Sequence, residues 1–272
     1  MGEDRASCAR NLTAKFVVVV TALALSVCFG GAAVAACRPD KSLQWPTIYE
    51  GTIGKHIVRL AISYGPDRAI GGGYAYVSSA SEIPLTGSLS ADGTRIEMRE
   101  NDAGGRPTGA FQGRFADSDP QFANGSRLNC EVIAGEWTAA NGGARLPFEL
   151  TMSSIAVGTT LGRLYAVAGA GDDETVNLAA ARFRKAVLAN DRDAVARAVR
   201  FPIWATVKGK RARLRRPQDL LANYDAIFTP ALRRKIENSV PRLMFARDLG
   251  VMLTEHGEIW LDDKGRVLAL RN

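Results

Sequence analysis

The sequence predicts two folds in tandem behind an export segment: an all-β antiparallel meander, then an α+β cone of helices on a curved antiparallel sheet. An apolar N-terminal stretch ends in small residues. The first half consists of short alternating runs separated by turn residues, and the second mixes helical periodicity with brief strand runs. The expected division is 1–36 for a signal peptide, 37–155 for the β domain, 156–173 for a linker and 174–272 for the α+β domain.

Arg5, Arg10 and Lys15 supply a positive start, Phe16 to Phe29 an apolar middle, and Gly30 to Ala36 the small residues that seat a signal peptidase. Uncut, the stretch from Phe16 would just span a bilayer at roughly 20 residues, though its Gly- and Ala-rich end is weakly apolar. Cleavage places the mature chain in the periplasm or outside the cell. Cys8 and Cys28 leave with the signal, and Cys37 and Cys130 remain. In an oxidising compartment these two form a disulfide closing a loop of about ninety residues, on the order of 4 kcal/mol in the chain-entropy model. A competing reading takes Val34-Ala35-Ala36-Cys37 as resembling a bacterial lipobox, with Cys37 acylated and the chain tethered to the envelope membrane.

Charge divides unevenly. Residues 37–157 hold 11 basic and 13 acidic side chains, residues 158–272 hold 21 and 13, so the net +7 resides in the second half. Outside the cytoplasm such an excess points to phosphorylated lipid heads or acidic glycans ahead of nucleic acid, and no nucleic-acid partner is expected. The same charge would also serve solubility alone.

Strands are expected at Ile57 to Ile62, Gly73 to Val77, Leu85 to Leu89, Ile96 to Glu100, Gly109 to Phe115, Leu128 to Ile133 and Leu146 to Leu150, about eight in all from Tyr49 onward. Asp92-Gly93 and Asn141-Gly142 sit between runs where tight hairpins need positive φ. Antiparallel neighbours follow, closed as a small barrel or folded as a sandwich. Gly recurs before aromatic or aliphatic residues, as in Gly51-Thr52-Ile53, Gly73-Tyr74 and Gly135-Glu136-Trp137, a pattern that lets strands bend while rings pack inward.

After the glycine-spaced segment between Thr151 and Thr175, Asp172-Asp173-Glu174 opens a helix carrying Val176, Ala179, Phe183 and Val187 on one face. A short helix is expected over Asp191 to Val199, stopped by Phe201-Pro202. Further helices should start at Pro217 and Pro230, where a first turn accepts a residue without N–H. Strand runs follow at Leu243 to Ala246, Gly250 to Thr254, Glu258 to Leu261 and Val267 to Leu270.

Phe183, Asn190-Asp191, Val195 to Val199, Phe201-Pro202, Asp219-Leu220, Tyr224, Ile227-Phe228-Thr229-Pro230, Gly250 to Leu253 and Gly257 to Trp260, in this order, resemble the nuclear-transport-factor-2-like superfamily over Glu174 to Asn272. The resemblance implies helices packed into the concave side of a bent sheet around a conical cavity. In that superfamily the cavity holds an Asp/His pair in some isomerases and hydratases and binds ligands or partners in other members. Here His56 falls in the β half and Glu255-His256-Gly257 reads as a hairpin turn, so neither histidine takes an internal acid/base position.

The densest candidate site is Lys208, Lys210, Arg211, Arg213, Arg215 and Arg216, following the apolar run Ile203 to Val207. With Gly209 at the bend, this reads as a hairpin whose second strand turns Arg outward and Ala212 and Leu214 inward. Arginines about 6.5 to 7 Å apart along a strand can meet successive phosphates or carboxylates, and the same charges also guard an edge strand against aggregation. A second candidate, on the resemblance, is a pocket of Trp204, Tyr224, Phe228, Glu258 and Trp260. Asp219, Asp225 and Glu258 could act as acid or base if buried, or else cap helices. Asn124-Gly125-Ser126 fits a glycosylation pattern.

No phosphate-binding glycine loop, Gly-x-Ser-x-Gly elbow, His-Glu-x-x-His or Cys-x-x-Cys occurs, and no catalytic residue, metal or cofactor is expected. The function read from the sequence is binding of an anionic envelope component or a protein partner. The alternatives are a small-molecule hydrolase or isomerase using the C-terminal cavity, and an inhibitor or immunity-type partner.

Overall fold

The structure, a computed structural model, describes residues 45–77, 81–116, 130–248 and 250–271. The signal segment, Cys37 and Asn124-Gly125-Ser126 lie outside the described residues.

The first sheet is a closed antiparallel barrel of β1 (Thr47–Ile53), β2 (His56–Tyr64), β3 (Ala69–Tyr76), β4 (Ile83–Leu89), β5 (Arg95–Asn101), β6 (Pro107–Ala116), β7 (Val132–Ala139) and β8 (Arg145–Ile155). Each strand pairs with the next, and β1 closes the ring on β8, with Thr47 opposite Ile155 and Ile53 opposite Phe148. Alternation fills the interior with Tyr49, Leu60, Tyr74, Met98, Phe111, Phe148 and their neighbours, so the barrel is packed by its own side chains. Of barrel and sandwich, the two closures left open by the sequence, the chain adopts the barrel.

Glycine makes close strand approach feasible. A Cβ on Gly51 would lie 1.9 Å from the Glu149 carbonyl oxygen, and one on Gly135 would lie 2.0 Å from that of Gln112. Of the strand expected at Leu128 to Ile133, residues 128–129 lie outside the described residues; β7 runs over Val132–Ala139, where Ile133, Gly135 and Trp137 continue the inward alternation.

The second sheet is mixed, ordered β10 (Lys210–Leu214), β9 (Val199–Val207), β14 (Val267–Leu270), β13 (Ile259–Leu261), β12 (Gly250–Met252) and β11 (Phe245–Arg247). It is accompanied by helices α1 (Asp173–Leu188), α2 (Arg192–Arg197), α3 (Pro217–Ala222), α4 (Tyr224–Ile227) and α5 (Pro230–Asn238). Two expectations change here. The helix expected to reach Val199 ends at Arg197, because Val199, Phe201 and Ile203 enter β9 between two partner strands. The sheet is not antiparallel throughout, since β14 runs parallel to β9 after α3, α4 and α5 carry the chain across. Pro202 lies where the β9–β14 register jumps, between the Val199–Val267 and Trp204–Ala269 pairs.

Local rules account for the helix starts. The Asp172 side chain accepts from the Thr175 N–H, Asp191 from Ala194 and Thr229 from Leu232, with Pro at the first turn of α3 and α5. Buried Val176, Ala180, Phe183 and Val187 give α1 its inward stripe.

The 156–173 segment, read as a linker, contributes Ala156, Leu164, Tyr165, Ala168 and Ala170 to the core beneath the second sheet. Tyr165 donates its hydroxyl proton to Asn177 Oδ1 at 2.7 Å and accepts from the Met244 N–H at 3.0 Å. Ile48 and Ala61, on the outer face of β1 and β2, belong to the same core. Beside them Arg59, only 3% exposed, bonds Glu50 Oε1 through Nε at 2.8 Å and the carbonyls of Val240 and Arg242 through Nη1 at 2.6 and 3.2 Å. One buried guanidinium thus ties the barrel wall to the chain after α5. Arg59→Leu should lower stability by about 3 kcal/mol, read from the urea midpoint, because it strands Glu50 and two carbonyls.

Candidate functional site

The basic residues gather on the β9–β10 hairpin. Lys208 at φ 50° and Gly209 at φ 75° make the tight turn. Pairing sets Arg211 opposite Thr206 and Arg213 opposite Trp204, while Ala212 and buried Leu214 point the other way, as the alternation requires. Trp204 is 47% exposed, and the Arg211 guanidinium stacks 4.3 Å from its ring centroid. Because β10 forms an edge of its sheet, this face and one row of backbone groups stay open.

Arg215 and Arg216 serve differently. Their N–H groups donate to Asp219 Oδ2 at 2.8 and 3.3 Å, and Arg216 Nε lies 3.5 Å from Oδ1, so Asp219 closes the start of α3. Those backbone bonds, from Arg215 above all, hold its carboxyl below the usual range. Asp225 pairs with Arg192 at 2.8 Å. Among the described residues, Lys208, Lys210, Arg211, Arg213 and Arg215 form no ion pair with a carboxylate, whereas Arg216 does.

The structure does not bring the aromatic set together. Tyr224 and Phe228 are buried as a core pair, centroids 4.6 Å apart, with Phe183 beside them. Arg192 and Arg233 lie 4.8 and 5.5 Å from the Tyr224 ring. Trp260 donates its indole proton to the Gly257 carbonyl at 2.9 Å on β13. Trp204 sits apart on the open edge.

Glu258 lies elsewhere again, lining a cleft of about 910 Å³ between the barrel wall and α5. That volume suits a small-molecule site. Outward-facing Thr151, Glu50 and Arg59 form one row across β8, β1 and β2. Ala231, Arg234, Lys235 and Asn238 face them, a stripe at helical spacing on α5, and Glu255 and His256 come from the turn after β12.

Glu258 is 7% exposed, with Oε1 paired to the Lys235 ammonium and Oε2 enclosed without a hydrogen-bond partner among the described residues. Burial, the largest single effect, pushes its carboxyl up, but Lys235, with smaller contributions from Thr254 and the backbone, holds it below the usual glutamate range. It is an ionised group already paired with Lys235, and a weaker base than an ordinary glutamate. Exposed His256 approaches only Glu255, Nδ1 to Oε2 at 4.0 Å. Sequence reasoning missed Arg234, Lys235 and His256 as cleft residues. The 231, 234, 235, 238 spacing was the available signal, but nothing in the sequence showed that the barrel wall would face it. Among the described residues no three His, Cys, Asp or Glu side chains converge to hold a metal ion.

Because the folded pKa of Glu258 lies below its unfolded value, its contribution to stability is present above the ordinary glutamate range and is lost as pH falls through the folded value. Lys235→Met removes the main group that opposes burial. It should cost on the order of 1 kcal/mol at neutral pH, Lys235 being half exposed, and the deficit should shrink toward pH of about 4 in urea titrations. Comparison of the chain with protein-family models, with curated proteins and with solved structures finds no match.

Proposed function

We propose that the chain is an exported binding protein whose basic β9–β10 edge engages an anionic component of the bacterial envelope. The observation that carries this reading is the run of five cationic side chains without carboxylate partners along the β9–β10 hairpin, of which Arg211 stacks on exposed Trp204 and Arg213 lies opposite it. Like charges crowded on one strand repel unless a counter-charge arrives, and arginine offers bidentate contacts to phosphates or carboxylates. The charge asymmetry between the halves and the N-terminal export segment support the same setting.

On this reading the C-terminal half is a nuclear-transport-factor-2-like module, supported by helices with a buried Phe183–Tyr224–Phe228 core beside a six-stranded sheet. On this reading the conical cavity that the resemblance implies is not the ligand site. A second reading, a small-molecule hydrolase or isomerase, is favoured by one observation, the buried and ionised Glu258 in the cleft. It requires turnover that Glu258→Gln abolishes. An inhibitor or immunity role would use the same β10 edge on a protein partner.

Reversing Arg211, Arg213 and Arg215 to Glu tests the leading reading. At about 1 kcal/mol per basic residue near an anionic surface, affinity for phosphatidylglycerol vesicles should fall on the order of 100-fold, with an unchanged circular-dichroism melt. Retention on an alginate column distinguishes acidic glycan from lipid. Unchanged retention on both supports rejects the proposal.

Processing is proposed to leave Cys37 as a disulfide partner of buried Cys130, tying the N-terminal segment to the start of β7. Intact mass of the mature chain before and after reduction should show the gain of two hydrogens, whereas an acyl-sized excess would mean that Cys37 is lipidated.

A further inference from the structure

The barrel end at which β1–β2, β3–β4, β5–β6 and β7–β8 turn carries polar side chains separate from both the cleft and the basic edge. Along β5 the inward phase reads Ile96, Met98, Glu100, so an acid only 5% exposed takes the place of a third apolar residue. Pairing sets Trp137 opposite inward Phe111 and Tyr76 opposite inward Val58, and His56 shares the Val58 phase at the rim. Tyr74 Oη and Trp137 Nε1, the latter at 3.1 Å, both donate to Glu100 Oε2.

Burial first, and then the Glu100 acceptor, push the Tyr74 hydroxyl well up, so it stays a donor. Glu100 forms no ion pair among the described residues, and Oε1 takes part in no hydrogen bond there. Unlike Glu258 Oε2, Oε1 is not a fully enclosed unpartnered atom. Gly109 leaves room for the arrangement: a Cβ there would lie 2.7 Å from Oε1 and 2.7 Å from the indole nitrogen. The Tyr74 and Tyr76 rings meet at 70° with centroids 5.3 Å apart, and His56 meets Tyr76 at 84° and 5.9 Å.

A carboxylate turned into an apolar barrel is unfavourable without a counter-charge, and two neutral donors on one oxygen leave its charge uncompensated. Aromatic rings set at steep angles beside a carboxylate make the surroundings that attract an organic cation. We propose that this barrel end binds a small organic ammonium ion, with Glu100 Oε1 as its counter-charge and the Tyr76, Trp137 and His56 rings as its walls. The mouth of a β-barrel is a common place for a small-molecule site. This reading does not depend on the β10 edge.

Calorimetric titration of the full chain at low ionic strength with choline chloride and with ethanolamine hydrochloride tests it. Saturable binding of at least one amine is expected, weakened at least tenfold by Glu100→Gln and unchanged by reversal of Arg211, Arg213 and Arg215. A tighter choline arm assigns the rings the larger share, and a tighter ethanolamine arm assigns it to Oε1. No saturable binding of either amine, or equal affinity in Glu100→Gln, overturns the proposal. If Glu100→Gln fails to fold by circular dichroism, Tyr76→Leu at the rim decides, and wild-type affinity in that variant overturns it.

Discussion

Everything in this fold leans on β1, which is hydrogen-bonded along both edges and places apolar side chains on both faces, Tyr49 and Ile53 inward and Ile48 outward. Its pairing with β8 turns an open meander into a ring, and Tyr49 and Ile53 fill that ring. Its outward Ile48 reaches the core of the α+β part, and outward Glu50 anchors the Arg59 guanidinium. The polar row Thr151–Glu50–Arg59 begins where the shared apolar contact stops, and the cleft opens there.

Much of the barrel was legible because its rules are local. Alternation, Asp-Gly and Asn-Gly turns and recurrent glycine led to eight antiparallel strands, while barrel and sandwich stayed undecided, since closure depends on β1 meeting β8 about a hundred residues away. The starts of α1, α2, α3 and α5 were equally local, fixed by a capping Asp or Thr or a first-turn Pro. The parallel β9–β14 pair was not legible, because nothing in either strand encodes the direction of a partner reached through three helices. The β9 boundary was missed because Val195 to Val199 satisfies a helical period as readily as a strand start, and only the position between β10 and β14 decides.

The candidate sites divide along the same line. The arginine hairpin could be read from Gly209 and the alternation of Arg with Ala212 and Leu214, and its register follows that reading. The four aromatic residues could not be apportioned from sequence, because a tryptophan on an open strand and a tyrosine in a core look alike as letters. Glu258 and Lys235 are 23 residues apart and meet only because α5 packs against the turn before β13. Glu100 carried a faint signal, an acid on the apolar phase of a strand, which passes for a surface residue when the strand's end is uncertain.

The two sheets differ in what they offer to other molecules. The barrel has no free strand edge, whereas the second sheet stops at β10 with backbone donors and acceptors unspent. Two copies meeting there would bring Arg211 and Arg213 against their counterparts, a repulsion that opposes edge-to-edge pairing. A polyanion laid along the same strand would cancel it. On the proposed reading, an anion that neutralises this row of guanidinium groups would also lower the barrier to edge-to-edge pairing of copies.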